Sequence, residues 1–200
     1  MDEIRENRKN EQRALTREEL DRILDAPDPQ TRAGIRDRAI LELLGGAGLK
    51  VQELVTLRVE NIDLQISCVL LPENPENPEN PESPGSSASP ERMVPFGKKT
   101  RESLMKYLYD VRREIESPSD LLFPGRSGKM ITRQAVWKLV KKYALAAGIR
   151  QPVSPEDLRT ALAVSLLRRG ADPSTVQSLL GIRSAAMHKY FLAQKGADLT

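Results

Sequence analysis

The sequence predicts a mainly helical α+β domain with one small antiparallel sheet. Three observations carry that prediction. Apolar residues recur at helical spacing in several stretches, most of them bounded by capping residues, Gly or Pro. Short runs rich in β-branched and aliphatic residues flank a proline repeat. The chain has 200 residues, 39% of them apolar and 30% charged, which suits one soluble domain rather than two.

The elements follow in order. Thr16-Arg17-Glu18-Glu19 is a capping box, in which Thr16 and Glu19 satisfy each other's backbone N–H. Leu20, Ile23 and Leu24 give that helix its apolar face, and Pro27 and Pro29 end it. A second helix runs from Thr31 to Leu44 with Ile35, Ala39, Ile40, Leu43 and Leu44 inward, and Gly45-Gly46-Ala47-Gly48 breaks it. A short helix spans Val51–Leu57. The aliphatic run Ile62–Leu71 reads as strand, placed at Asp63–Gln65 and Cys68–Leu71, with a third strand at Arg92–Pro95. Between them Pro72-Glu73-Asn74-Pro75-Glu76-Asn77-Pro78-Glu79-Asn80-Pro81-Glu82 repeats a tripeptide, and Ser83 to Pro90 continues it. Proline at every third position removes ladder donors, so residues 72–90 are expected to protrude as an acidic, swollen hairpin turn.

Thr100–Glu116 reads as a helix with Leu104, Tyr107, Leu108 and Val111 inward. Thr132 caps the next, whose inward face is Val136, Leu139, Val140 and Tyr143 and which Gly148 ends. Trp137, beside Val136, is expected in the core. Pro155 opens a helix through Leu158, Leu162, Leu166 and Leu167 to Gly170. Thr175–Leu180 stops at Gly181, and Ala185–Gln194 is a last, weak helix.

Several function classes are excluded. No apolar run approaches the roughly eighteen residues of a membrane span. Met1 to Arg13 is charged throughout and lacks the apolar stretch of a signal peptide, so a cytoplasmic location is expected. Cys68 and His188 are the only cysteine and histidine, which rules out a disulfide framework and Cys- or His-rich metal sites. Net charge is only +3, but residues 1–90 hold 11 basic against 18 acidic side chains, and residues 91–150 hold 14 against 6. The basic middle segment fits either a polyanionic partner or a solvated surface.

Four stretches, in this order and spacing, resemble the tyrosine recombinase or phage integrase family, most closely its Xer type. They are Ala47-Gly48-Leu49-Lys50-Val51-Gln52-Glu53-Leu54, Met130-Ile131-Thr132-Arg133-Gln134-Ala135-Val136-Trp137, Ser154-Pro155-Glu156-Asp157-Leu158-Arg159, and Gly170-Ala171-Asp172 through Leu179-Leu180-Gly181. The resemblance covers Leu15 to Gln194. It implies the family's DNA breaking-rejoining catalytic-domain fold over residues 15–200, behind a polar tail at 1–14 and without the N-terminal core-binding domain. It also implies double-stranded DNA as partner and no cofactor or metal. The family attacks a scissile phosphate with a tyrosine, forming a 3′-phosphotyrosine, while two arginines and neighbouring donors stabilise the charged phosphorane.

Matched to that pattern, the site is degenerate. The first arginine is Lys50, which keeps charge but loses the bidentate fork. The supporting acid is retained as Glu53 and the second arginine as Arg159. The family's lysine belongs in the strand-to-strand turn, where the Pro-Glu-Asn repeat has none. Glu156 replaces the histidine of the His-x-x-Arg motif, and a carboxylate there repels phosphate. Ile182 replaces the later histidine or tryptophan. Ungapped, the nucleophile position is Phe191; a one-residue deletion near Arg183 to Ala185 aligns Tyr190 instead.

Each residue also has a plainer reading. Arg159 is either phosphate-facing or a salt-bridged helix residue, and the motif favours the first. Lys50 is an active-site remnant or an ordinary exposed lysine, with Glu53 as its pairing acid. His188 reads as a surface residue. Arg133, Lys138, Lys141 and Lys142 are a solvated face or a DNA-backbone contact, and the resemblance favours contact, joined by Arg159. The functional expectation is a DNA-binding recombinase-like protein without strand cleavage. Two alternatives stand beside it: an active recombinase using Tyr190, and a non-enzymatic module docking on another recombinase-like subunit through its C-terminal segment.

Overall fold

The structure, a computed structural model, describes residues 14–71, 92–115, 119–125 and 128–182. The chain opens with helices α1 (Arg17–Asp25), α2 (Arg32–Gly45) and α3 (Val51–Thr56) and a 3-10 turn at Val59–Asn61. Strands β1 (Ile62–Asp63), β2 (Cys68–Leu71) and β3 (Arg92–Pro95) follow. Helix α4 (Lys98–Asp110) runs into a second 3-10 turn at Arg112–Glu114. Helices α5 (Arg133–Ala146), α6 (Pro155–Arg168) and α7 (Pro173–Leu180) complete the described chain.

Local chemistry starts most helices. Thr16, Thr31, Thr132 and Ser154 accept from the backbone N–H of Glu19, Gly34, Ala135 and Asp157, and Asp172 caps α7. Helix α2 is the hub, touching α1, α3, α4 and α6. Its burial runs nearly all the way round, from Ile35 through Ile40, Leu41, Leu43 and Leu44, as expected of a helix with protein on every side. The main core joins it to Leu20, Ile23, Leu54, Val69, Val94, Leu104, Tyr107, Val136 and Val140. A smaller apolar cluster sits between α6 and α7.

The sheet is antiparallel in the order β1-β2-β3, and Leu71 lies opposite Arg92. The acidic segment therefore leaves and re-enters the sheet at one place. The segment itself lies outside the described residues, as do the N-terminal tail and the expected helix at Ala185–Gln194. Among the described residues no helix is long and apolar enough to cross a membrane.

Several expected boundaries shift. The first strand is Ile62–Asp63, not Asp63–Gln65, because the Asp63 carboxylate accepts the N–H groups of Gln65 and Ile66 and turns the chain there. The helix expected at Thr100–Glu116 begins earlier, at Lys98, and gives way after Asp110 to the 3-10 turn. Helix α3 stops at Thr56, with Leu57 already extended. Helix α7 starts at Pro173, whose missing N–H costs nothing in the first turn. Trp137 is not in the core: it is 45% exposed, because the buried stripe of α5 is Val136, Val140, Tyr143 and Ala144.

Candidate functional site

The recombinase-like residues converge where the start of α3, the start of β3, the first turns of α6 and the end of α7 meet. Helix α6 places Arg159 in the interior, 3% exposed. Its Nη1 donates to the Gly48 carbonyl at 2.5 Å and its Nη2 to the Leu180 carbonyl at 2.7 Å. One guanidinium thus ties the loop before α3 to the end of α7. Its Nε lies 3.9 Å from the Glu156 carboxylate, too far for a hydrogen bond, and has no hydrogen-bond partner.

Lys50 precedes the first turn of α3, and its side chain is exposed. Glu53, one turn on, accepts the Lys50 backbone N–H at 2.7 Å through Oε2. The sequence suggested that Glu53 pairs with the Lys50 ammonium. Its ion pair is instead with Arg92, whose Nη2 donates to Oε1 at 2.8 Å. Arg92, at the start of β3, is a site residue that the motif comparison missed. The only local signal was a cation beside the proline repeat; the contact with Glu53 spans 39 residues of chain.

Arg92 also packs against Gly181, where an added Cβ would run into its Nη1. Burial holds the Arg92 pKa below its usual guanidinium value; the Glu53 carboxylate opposes the shift and the Arg159 charge adds to it. Arg92 Nη1, like Arg159 Nε, is buried without a hydrogen-bond partner. The two guanidiniums feel each other's charge, and each leaves one buried donor without a hydrogen-bond partner.

The positions that the resemblance aligns with the family's proton-handling residues look different. Ile182 is 7% exposed and belongs to the apolar cluster with Leu162, Leu167, Val176 and Leu180. The Glu156 side chain is half exposed beside Arg159. Tyr190, Phe191 and His188 lie outside the described residues.

Helix α5 carries the remaining predicted residues. Arg133, Lys138 and Lys141 are exposed on a helix without a single acid. Arg133 Nη1 donates to Gln52 Oε1 at 3.2 Å, which holds the start of α5 against α3, two residues from Lys50. Lys142 differs from its neighbours. Its Nζ donates to the Tyr143 hydroxyl at 3.0 Å, that hydroxyl donates to buried Asp37 at 2.9 Å, and Nζ itself is 3.7 Å from Asp37. The Tyr143 hydrogen bond is the main cause that raises the Lys142 pKa. The arrangement therefore brings Glu53, Arg92 and Arg159 together, leaves the Lys50 side chain exposed at the start of the same helix as Glu53, ties Arg133 to that helix through Gln52, and turns Lys142 toward the core acid.

Comparison with known proteins places the sequence and the fold in a family. The sequence model of the phage integrase family matches residues 13–196. The tyrosine recombinase XerD of Pseudomonas putida is 38% identical over 171 residues, covering 84% of this chain and 53% of that protein. XerD of Vibrio cholerae is 38% identical over 170 residues, covering 84% and 52%. The chain thus spans about half the length of the relatives it matches. The crystal structure of XerA recombinase superposes with a TM-score of 0.73 at 26% identity, covering 90% of this chain and 59% of that one. A post-cleavage complex of XerH bound to its difH substrate gives 0.70 at 21% identity, covering 92% and 49%, a likeness of fold alone. On its sequence match and its fold, the chain belongs to the phage integrase family of tyrosine recombinases.

Proposed function

We propose that this chain binds duplex DNA through the exposed face of α5, holds a backbone phosphate near Lys50, Arg92 and Arg159, and does not cut the strand. The observation that carries this reading is the imbalance of the site. Donors with unmet capacity remain at Arg92 and Arg159, while Ile182 is sealed in an apolar cluster at a position where the family uses a proton donor. Phosphorane formation needs preorganised donors, and losing one costs roughly a hundredfold to a thousandfold in rate. Lys50 in place of an arginine, Glu156 beside Arg159 and Ile182 all work in the same direction, although residues acting as a unit need not multiply.

In this reading residues 15–200 act as one recombinase-type domain in the cytoplasm, with 72–90 as an insertion in its sheet. Phosphate contacts dominate the affinity, which makes it steeply salt-dependent. A second recombinase-like subunit, reached through the C-terminal segment, is a further partner that the family's subunit exchange would supply.

Two arms of one experiment test the proposal. The chain is incubated with nicked suicide duplexes, and retention and covalent adducts are scored together. The expected result is salt-sensitive retention without an adduct. Reversing Arg133, Lys138 and Lys141 to Glu is expected to abolish retention at low salt. An adduct lost in Tyr190→Phe would overturn the non-cleaving reading and establish Tyr190 as nucleophile. Unchanged retention in the triple variant would refute the α5 interface and favour the protein-docking alternative.

A further inference from the structure

Trp137 is the chain's sole tryptophan, and it is left 45% exposed on α5. An indole in water forgoes one of the largest apolar burials available to any side chain. Among the described residues its ring makes no aromatic-stacking or cation–π contact and its N–H has no hydrogen-bond partner. Exposed cations flank it along the helix. Arg133 and Lys141 stand four residues before and after it, so all three share one ridge of the helix. Lys138 adds a third exposed cation, and α5 has no Asp or Glu to neutralise them. The Arg133–Gln52 hydrogen bond sets the ridge beside α3 and Lys50.

The ridge reads cation, indole, cation over about 12 Å of helix. A purely electrostatic surface would have no use for the indole, and an apolar docking face would not be flanked by unneutralised cations. A duplex strand alternates the same two chemistries, with anionic phosphates separated by the apolar faces of deoxyribose. We propose that Trp137 packs against deoxyribose between phosphates bound by Arg133 and Lys141, and supplies the salt-independent, sequence-independent part of duplex binding. This inference rests on the reading that α5 faces DNA.

Because the chain has one tryptophan, its emission reports this contact alone. The full chain is titrated into labelled duplexes of A·T-rich and G·C-rich sequence. Anisotropy of the label measures binding, and acrylamide quenching of the tryptophan measures shielding. Quenching is expected to fall about twofold in the complex. Trp137→Ala is expected to weaken both duplexes by on the order of tenfold, with an unchanged salt slope, and Trp137→Phe to recover part of the loss. Lys141→Ala should lower the salt slope by about one. An exposed site lets these variants fold, which thermal melts verify.

If anisotropy rises while quenching stays the same, or Trp137→Ala binds as the parent does, the contact is refuted and the DNA reading stands. A loss confined to one duplex composition would make Trp137 a base reader and overturn the sugar contact. Quenching that falls with protein concentration alone would seat a second copy on the ridge, again overturning it. No anisotropy change at low salt would remove the DNA reading and this inference with it.

Discussion

At Gly181 the chain turns left-handed, with φ +57°, and Gly181 N–H closes α7 on the carbonyls of Gln177 and Ser178. Any other residue would pay for that conformation and would also push its Cβ into the Arg92 guanidinium. The two effects are separable. Gly181→Ala should destabilise the fold by about 1–2 kcal/mol from the backbone alone, and further by displacing Arg92 from Glu53. In an Arg92→Ala background only the backbone part remains, so the glycine substitution should cost less there. Urea unfolding of the four proteins in this cycle measures the difference; full additivity would show that Arg92 does not press on Gly181 in solution. The same contacts explain why the sequence located Arg159 and Glu53 by motif but not their partners. The ties from Arg159 to the Gly48 and Leu180 carbonyls span 111 and 21 residues, and no local spacing encodes them.

Among the elements, α2 holds an acid where its packing should favour an apolar residue. Glu42 is 1% exposed; its Oε2 accepts the Thr100 hydroxyl at 2.8 Å, and its Oε1 is buried without a hydrogen-bond partner. Burial raises its pKa above the ordinary 4.5, against the hydrogen bond from Thr100 and the charges of Arg38 and Lys99. A carboxyl raised on folding favours the native state most when protonated, so its contribution is present below the unfolded pKa and fades as pH rises through the folded one. Glu42→Gln should therefore raise the urea midpoint at pH 7 and lose that advantage as pH falls toward 4.5. An equal gain at both pH values would show that Glu42 does not titrate differently in the fold. The elements also show what sequence can reveal. The box at Thr16 is legible because a cap and its acid lie three residues apart, and the structure adds a second at Ser154 and Asp157 by the same spacing. Strand β1 was misplaced because the Asp63 side chain competes with the ladder. Trp137 was misplaced because its neighbour Val136 is buried, and one residue turns a helix by about 100°, enough to cross from core to solvent.

Across the whole molecule, charge is divided by sequence and rejoined by the fold. The basic segment 91–150 includes β3 and α5, while the acidic repeat follows Leu71, the residue paired with Arg92, in sequence. Glu73, Glu76, Glu79 and Glu82 are thereby tethered to the strand that carries a site cation. Like charge opposes the approach of DNA, but screening limits its reach to about 8 Å at physiological ionic strength and lengthens it at low salt. The Leu71–Arg92 register leaves strand ends close enough for a short turn, so the insertion is removable without breaking the β2–β3 ladder. Replacing residues 72–90 by a Gly-Ser turn takes the net charge from +3 to +7. Duplex affinity, measured by anisotropy across a salt series, should rise severalfold at low salt, and the gain should shrink as ionic strength increases. A loss of affinity at every salt concentration would mean that the repeat itself contributes to binding. A gain that persisted in high salt would mean that it obstructs DNA by bulk rather than by charge.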